Sequence, residues 1–67
     1  MAVARVTEIS STSTTSFEDA IKSGLERANA TLRNVRSAWI KEQQVRVEGG
    51  SISEYQVNLL VTFVLDD

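Results

Sequence analysis

The C-terminal stretch "SISEYQVNLLVTFVLDD" (51–67) restricts the fold more than any other part of the chain. Tyr55, Val57, Leu59, Val61, Phe63 and Leu65 recur at every second position. That is the period of a β-strand with one buried face, and this face is expected to cover a helix. The opposite face carries Glu54, Gln56, Asn58, Leu60, Thr62 and Val64. A two-layer domain would leave it wet. Yet Leu60 and Val64 stand there among uncharged polar groups, which points to contact with another subunit.

The helix to be covered is "FEDAIKSGLERANATLRN" (17–34). Phe17, Ala20, Ile21, Gly24, Leu25, Ala28 and Leu32 form one stripe at a 3.6-residue period. Ser16 is the expected N-cap, with Asp19 at the capping-box spacing. Gly24 lies on the stripe, where alanine would favour the helix by about 1 kcal/mol. Its presence there implies a close approach of helix to sheet. Before the helix, "VARVTEIS" (3–10) reads as a strand, and "STSTTS" (11–16) as a hydroxyl-rich loop that could also accept a phosphate.

After the helix, residues 35–48 read as a second strand with an internal conflict. Ala38 and Ile40 have one parity, Val45 and Val47 the other. A strand that keeps one face buried needs an extra residue between them, so a bulge or bend is expected within "KEQQ" (41–44). "EGGS" (48–51) is a hairpin turn whose glycines permit positive φ. The plan is β-α-β-β in one domain, 1–67, of the α+β class.

Composition narrows the function. The 67-residue chain has no cysteine and no histidine. Disulfides, thiolate metal sites and the usual general base are therefore excluded. No nucleophile–base pair is visible, so an enzyme is not expected. The net charge of −2 comes without a basic block, which argues against nucleic acid. The apolar run "NLLVTFVL" (58–65) is too short for a membrane helix, and "MAVARVTEIS" lacks a signal-peptide layout, so a cytoplasmic location is expected. A core this small supplies about 3–5 kcal/mol, and self-association is the expected staple.

Taken in order, "TEISSTSTTSFEDAIKSGLERANATLRNV", a bent strand and "EYQVNLLVTFVLDD" resemble the dodecins, small flavin-binding proteins. The resemblance rests on Glu8-Ile9, Thr12-Ser13, Ala20-Ile21, "LERA" (25–28), Thr31-Leu32 and Tyr55-Gln56-Val57, and it covers nearly the whole chain. It implies a three-stranded antiparallel sheet wrapped on one helix, and twelve copies in a hollow shell, a homododecamer. It implies paired flavins, riboflavin or FMN, stored at two-fold contacts between tryptophans of two subunits. Stacking on indole quenches the excited flavin there. A glutamine of the last strand, here Gln56, bonds the ring edge.

The resemblance also locates a departure. Counted back from "EYQV" without a gap, the family's stacking tryptophan falls on Ser37, whereas this chain has Trp39. Two residues along a strand keep the face but move the side chain by about 6–7 Å. Three readings follow. Trp39 is a shifted stacking platform. Or it pairs with its symmetry mate and closes the pocket. Or the chain is similar to a subgroup without the stacking tryptophan that is associated with calcium, with Glu8, Glu42, Asp66 and Asp67 as oxygen donors. Ser11 replaces a common glycine, and Gln43 and Gln44 stand where some relatives carry basic residues near a flavin phosphate. Arg46 could reach such a phosphate or simply be solvated.

Overall fold

The computed structural model describes residues 3–65. Strand β1 (Ala4–Ser13) leads into helix α1 (Phe17–Thr31), followed by β2 (Val35–Glu48) and β3 (Ser51–Val64). The three strands form one antiparallel sheet in the order β1-β3-β2. The alternating strand is therefore the central one. Its Val57, Leu59 and Val61 are fully buried and meet Ala20 and Ala28 of the helix. Ile9, Phe17, Ile21, Leu25, Leu32, Val35 and Ala38 pack around this core. Leu65 departs from the expected pattern: it lies beyond β3 and is exposed.

The segment read as a loop is in part strand. Ser11, Thr12 and Ser13 pair with Val57, Gln56 and Tyr55. Hydroxyl residues favour turns in isolation, but cross-strand pairing to the central strand overrides that preference. Small side chains are also what the crossing helix requires. A Cβ placed on Gly24 would stand 3.0 Å from Ser11 Cβ and 3.3 Å from Leu59 Cδ1. The close approach expected from that glycine is thus a contact with β1 and the core.

Ser13 anchors the turn into the helix. Its hydroxyl donates to Asp19 Oδ2 at 2.7 Å and accepts from the N–H of Thr15 at 2.9 Å and of Ser16 at 3.4 Å. Ser16 Oγ accepts from the Asp19 N–H at 3.0 Å, as an N-cap does. The Asp19 carboxylate goes to Ser13 instead of returning to the cap. At the other end the helix stops at Thr31, short of the expected Asn34. Leu32 is already extended, and Asn34 takes a positive φ of 59°, a conformation asparagine tolerates. This turns the chain into β2, where Val64 N–H donates to Asn34 O at 3.1 Å.

The expected bulge is present. Ile40 pairs with Leu59 and Glu42 with Asn58, so Lys41 is the inserted residue. It puts Ile40 and Val45 on the same face despite their opposite parity. The sheet also shifts register between Val35 and Ser37 and between Arg46 and Val47. The turn glycines, Gly49 and Gly50, have φ of 57° and 81°.

Strands and helix differ in length, and that shapes the molecule. A 14-residue strand spans about 46 Å, a 15-residue helix about 22 Å. The helix runs over β1 and β3 from Tyr55, whose ring meets Phe17 edge-on at 5.1 Å, towards Phe63. The β2–β3 hairpin projects past it and leaves Val45, Val47 and Ile52 exposed.

Candidate functional site

The cross-strand register decides which side chains share the outer, helix-free face. Opposed residues of an antiparallel pair point to the same side. Val6, Thr62 and Ser37 form one row across the sheet. Glu8, Leu60 and Trp39 form the next, then Ser10, Asn58 and Glu42, then Thr12, Gln56 and Gln44. Arg46 faces Glu54 in the last row. The residues singled out in the sequence for flavin, Ser37, Trp39, Gln56 and Arg46, therefore lie on this one face. The bulge at Lys41 makes this possible, because without it Gln44 and Arg46 would turn inward.

Trp39 is 65% exposed, although its row is partly apolar through Leu60. The indole stands on an edge strand, with neighbours on one side only. Ser37 is exposed beside it. Gln56 is only partly exposed and sits in a belt of polar side chains. Its Nε2 donates to Ser10 Oγ at 3.0 Å and lies 3.5 Å from Asn58 Oδ1. Its Oε1 accepts from Gln44 Nε2 at 3.3 Å. Asn58 Nδ2 donates to Glu42 Oε1 at 3.0 Å. The amide of Gln56 is thereby turned with its nitrogen towards β1 and its oxygen towards β2.

Charges on this face are largely neutralised within the chain. Lys41 Nζ lies 3.2 Å from Glu8 Oε1, and Arg46 Nε 4.0 Å from Glu54 Oε1. Both are surface pairs of small energetic weight. Arg46 stands one row beyond Gln56 and Gln44, committed to Glu54.

The nominated residues do not converge within one chain. Trp39 and Gln56 belong to rows four residues apart along β3, a distance of about 13 Å. Of the proposed oxygen donors, Glu8 is paired with Lys41 and Glu42 bonded to Asn58, while Asp66 and Asp67 lie outside the described residues. Among the described residues no three acidic side chains gather as a metal site would require. A concavity of about 400 Å³ lies away from these residues, between β1 and α1, and is lined in part by Ser11, Ser23, Gly24, Arg27 and Thr31. It is open, and of the outer-face belt only Ser10 lines it; Trp39, Gln44 and Gln56 do not.

The polar belt was only half visible in the sequence. Gln56 stands out by its strand position, and Gln44 only as an amide where some relatives carry a basic residue. Ser10 and Asn58 gave no individual signal. Asn58 shares the parity of Gln56 on one strand, but that Ser10 and Gln44 flank them shows only once the register is known.

Known proteins share this sequence pattern and fold. The family model described as Dodecin matches residues 3–66. A dodecin from Streptomyces davaonensis is 35% identical, with a TM-score of 0.94, covering 98% of this chain and 97% of its own. A dodecin mutant from Thermus thermophilus is 34% identical, with a TM-score of 0.94, over 100% of this chain and 98% of its own. A calcium dodecin from Mycobacterium tuberculosis, described as calcium chelating with a novel calcium-binding site, is 34% identical. Its TM-score is 0.82, over 96% of this chain and 91% of its own. No curated protein sequence matched. Among the described residues no helix is long and apolar enough to cross a membrane.

Proposed function

The chain belongs to the dodecin family, and from that premise we propose that it binds flavin and sequesters it at contacts between its own copies. The observation that carries this reading is an exposed indole, Trp39, on the same sheet face as the amide of Gln56. A flat aromatic ring gains by stacking on indole, and an amide offers both a donor and an acceptor to the ring's polar edge. Trp39 and Gln56 of one chain are about 13 Å apart along the sheet. A ligand that touches both kinds of group is best served by the tryptophan of one copy and the glutamine of another. Twelve copies in a closed shell would supply such contacts. Ser37 leaves room beside the indole. Arg46, already paired with Glu54, contributes at most to a phosphate of FMN, and riboflavin is the simpler ligand for this face.

The test is a titration of riboflavin into the flavin-free assembly. Riboflavin fluorescence falls if the ring stacks on Trp39, and Trp39→Ala leaves it bright. Riboflavin that stays bright in large protein excess sinks this reading. It favours instead a tryptophan that closes the pocket, or a flavin-free shell of the calcium-binding kind. Calorimetry with calcium ion alone separates those two.

A further inference from the structure

The polar belt holds a second amide that the flavin reading leaves unused. Gln44 is exposed on the edge strand β2, and one hydrogen of its Nε2 goes to Gln56 Oε1 at 3.3 Å. An amide nitrogen carries two hydrogens, so a second donor remains. Gln56 is nearly spent by comparison. Its nitrogen is directed to Ser10 and Asn58, and its oxygen keeps one lone pair. What the two side chains present together is an acceptor and a donor side by side. That pattern complements an imide edge, an N–H next to a carbonyl. The N–H would donate to Gln56 Oε1, and the carbonyl would accept from Gln44 Nε2.

We propose that Gln44 is a specificity-determining residue, the donor half of a paired-amide reader whose acceptor half is Gln56, and that the pair selects planar heterocycles with an uncharged imide edge. The proposal rests on the flavin reading above and deepens it. The charge around the pair fits an edge without negative charge: Arg46 is matched by Glu54 and Lys41 by Glu8, and the Glu42 carboxylate of the adjoining row, held by the Asn58 amide, would repel an anion. Because Gln44 touches Gln56 directly, it also fixes which end of that amide faces β2.

The experiment uses the assembled, flavin-free protein and riboflavin. Four variants are compared with the parent: Gln44→Met, which keeps length and loses the donor; Gln44→Lys, which restores a donor; Gln56→Ala; and Gln44→Met with Gln56→Ala. Binding is read from fluorescence quenching, and the carbonyl hydrogen bond from the carbonyl stretch of bound flavin by Raman spectroscopy. Gln44→Met is expected to weaken binding about fivefold, the scale of one neutral hydrogen bond. It should also raise the carbonyl stretch. Gln44→Lys should return the stretch to its parental position, which a merely structural role would not do. In the Gln56→Ala background the Gln44→Met change should still raise the stretch, showing that Gln44 acts on the ligand itself. If Gln44→Met leaves both affinity and stretch unchanged while the parent binds riboflavin, the paired-amide reading is wrong and the flavin reading stands. A parent that binds no riboflavin overturns both.

Discussion

At the scale of single residues, exposure and bonding separate the two candidate ligand groups. Trp39 is held by little within its own chain, so replacing it should cost the isolated fold almost nothing. Gln56 is embedded in the belt, and its loss frees Ser10 and Gln44 from their partners. Gln56→Ala is expected to weaken riboflavin binding by about 1 kcal/mol, the net scale of a neutral hydrogen bond, with quenching of bound flavin intact. Trp39→Ala should abolish the quenching. Unchanged affinity in Gln56→Ala would put the ring edge elsewhere. Ser13 works at the same scale but for stability. Its hydroxyl serves Asp19, Thr15 and Ser16 at once and is 9% exposed. Ser13→Ala should cost about 1–2 kcal/mol, since two backbone donors and a carboxylate lose their partner. Thermal unfolding at fixed protein concentration reads the loss, and an unchanged midpoint would mean water replaces the hydroxyl without penalty.

At the scale of elements, legibility followed periodicity. The central strand was plain in the sequence because six alternating apolar residues have no helical reading. The bulge at Lys41 was plain for a related reason: Ile40 and Val45 are both apolar yet of opposite parity. The shift between Val35 and Ser37 involves the same kind of conflict, between Val35 and Ala38, but the small alanine hid it. The shift between Arg46 and Val47 lies beside the turn, where no long apolar run exposes a slip. The extension of β1 through Ser13 could not be read locally, because hydroxyl residues favour turns until a partner strand is present. On the site, parity alone put Trp39 and Ser37 on one face, whereas the belt needed the register of all the strands. The contact of α1 with β1 offers a test at this scale. Gly24→Ala gains about 1 kcal/mol of helix propensity. It also drives a methyl to 3.0 Å from Ser11 Cβ, and overpacking costs about 1–3 kcal/mol. The net effect should be a lower unfolding midpoint. Adding Ser11→Gly should recover part of it, because the obstructing side chain is gone. If the double variant unfolds no higher than Gly24→Ala alone, Leu59 is the obstacle, its Cδ1 being 3.3 Å away.

At the scale of the whole molecule, the chain leaves much apolar surface uncovered. Among the described residues only Val57, Leu59, Val61, Ala20 and Ala28 form the buried hydrophobic core. Trp39, Val6, Ile40, Val47 and Ile52 are exposed, on both faces of a sheet that outreaches its helix. A core of that size gives a marginal domain by itself, and covering these residues by other copies supplies what it lacks. Sedimentation at micromolar concentration should therefore show a species near twelve times the 7.4 kDa chain, with no stable monomer. Leu60→Asp probes the outer face directly. Leu60 lies between Glu8 and Trp39 on that face and is not part of the core, so the substitution leaves the packing of α1 untouched. It places a carboxylate beside Glu8 and, in the assembly, in a contact that water leaves. An unpaired charge in such a place costs several kcal/mol. The expected result is dissociation, with the helical circular dichroism signal becoming strongly dependent on protein concentration. A Leu60→Asp variant that still sediments at the parental size would show that the outer face is wet in the assembly, and that the exposed apolar residues of the hairpin, Val47 and Ile52, carry the association instead.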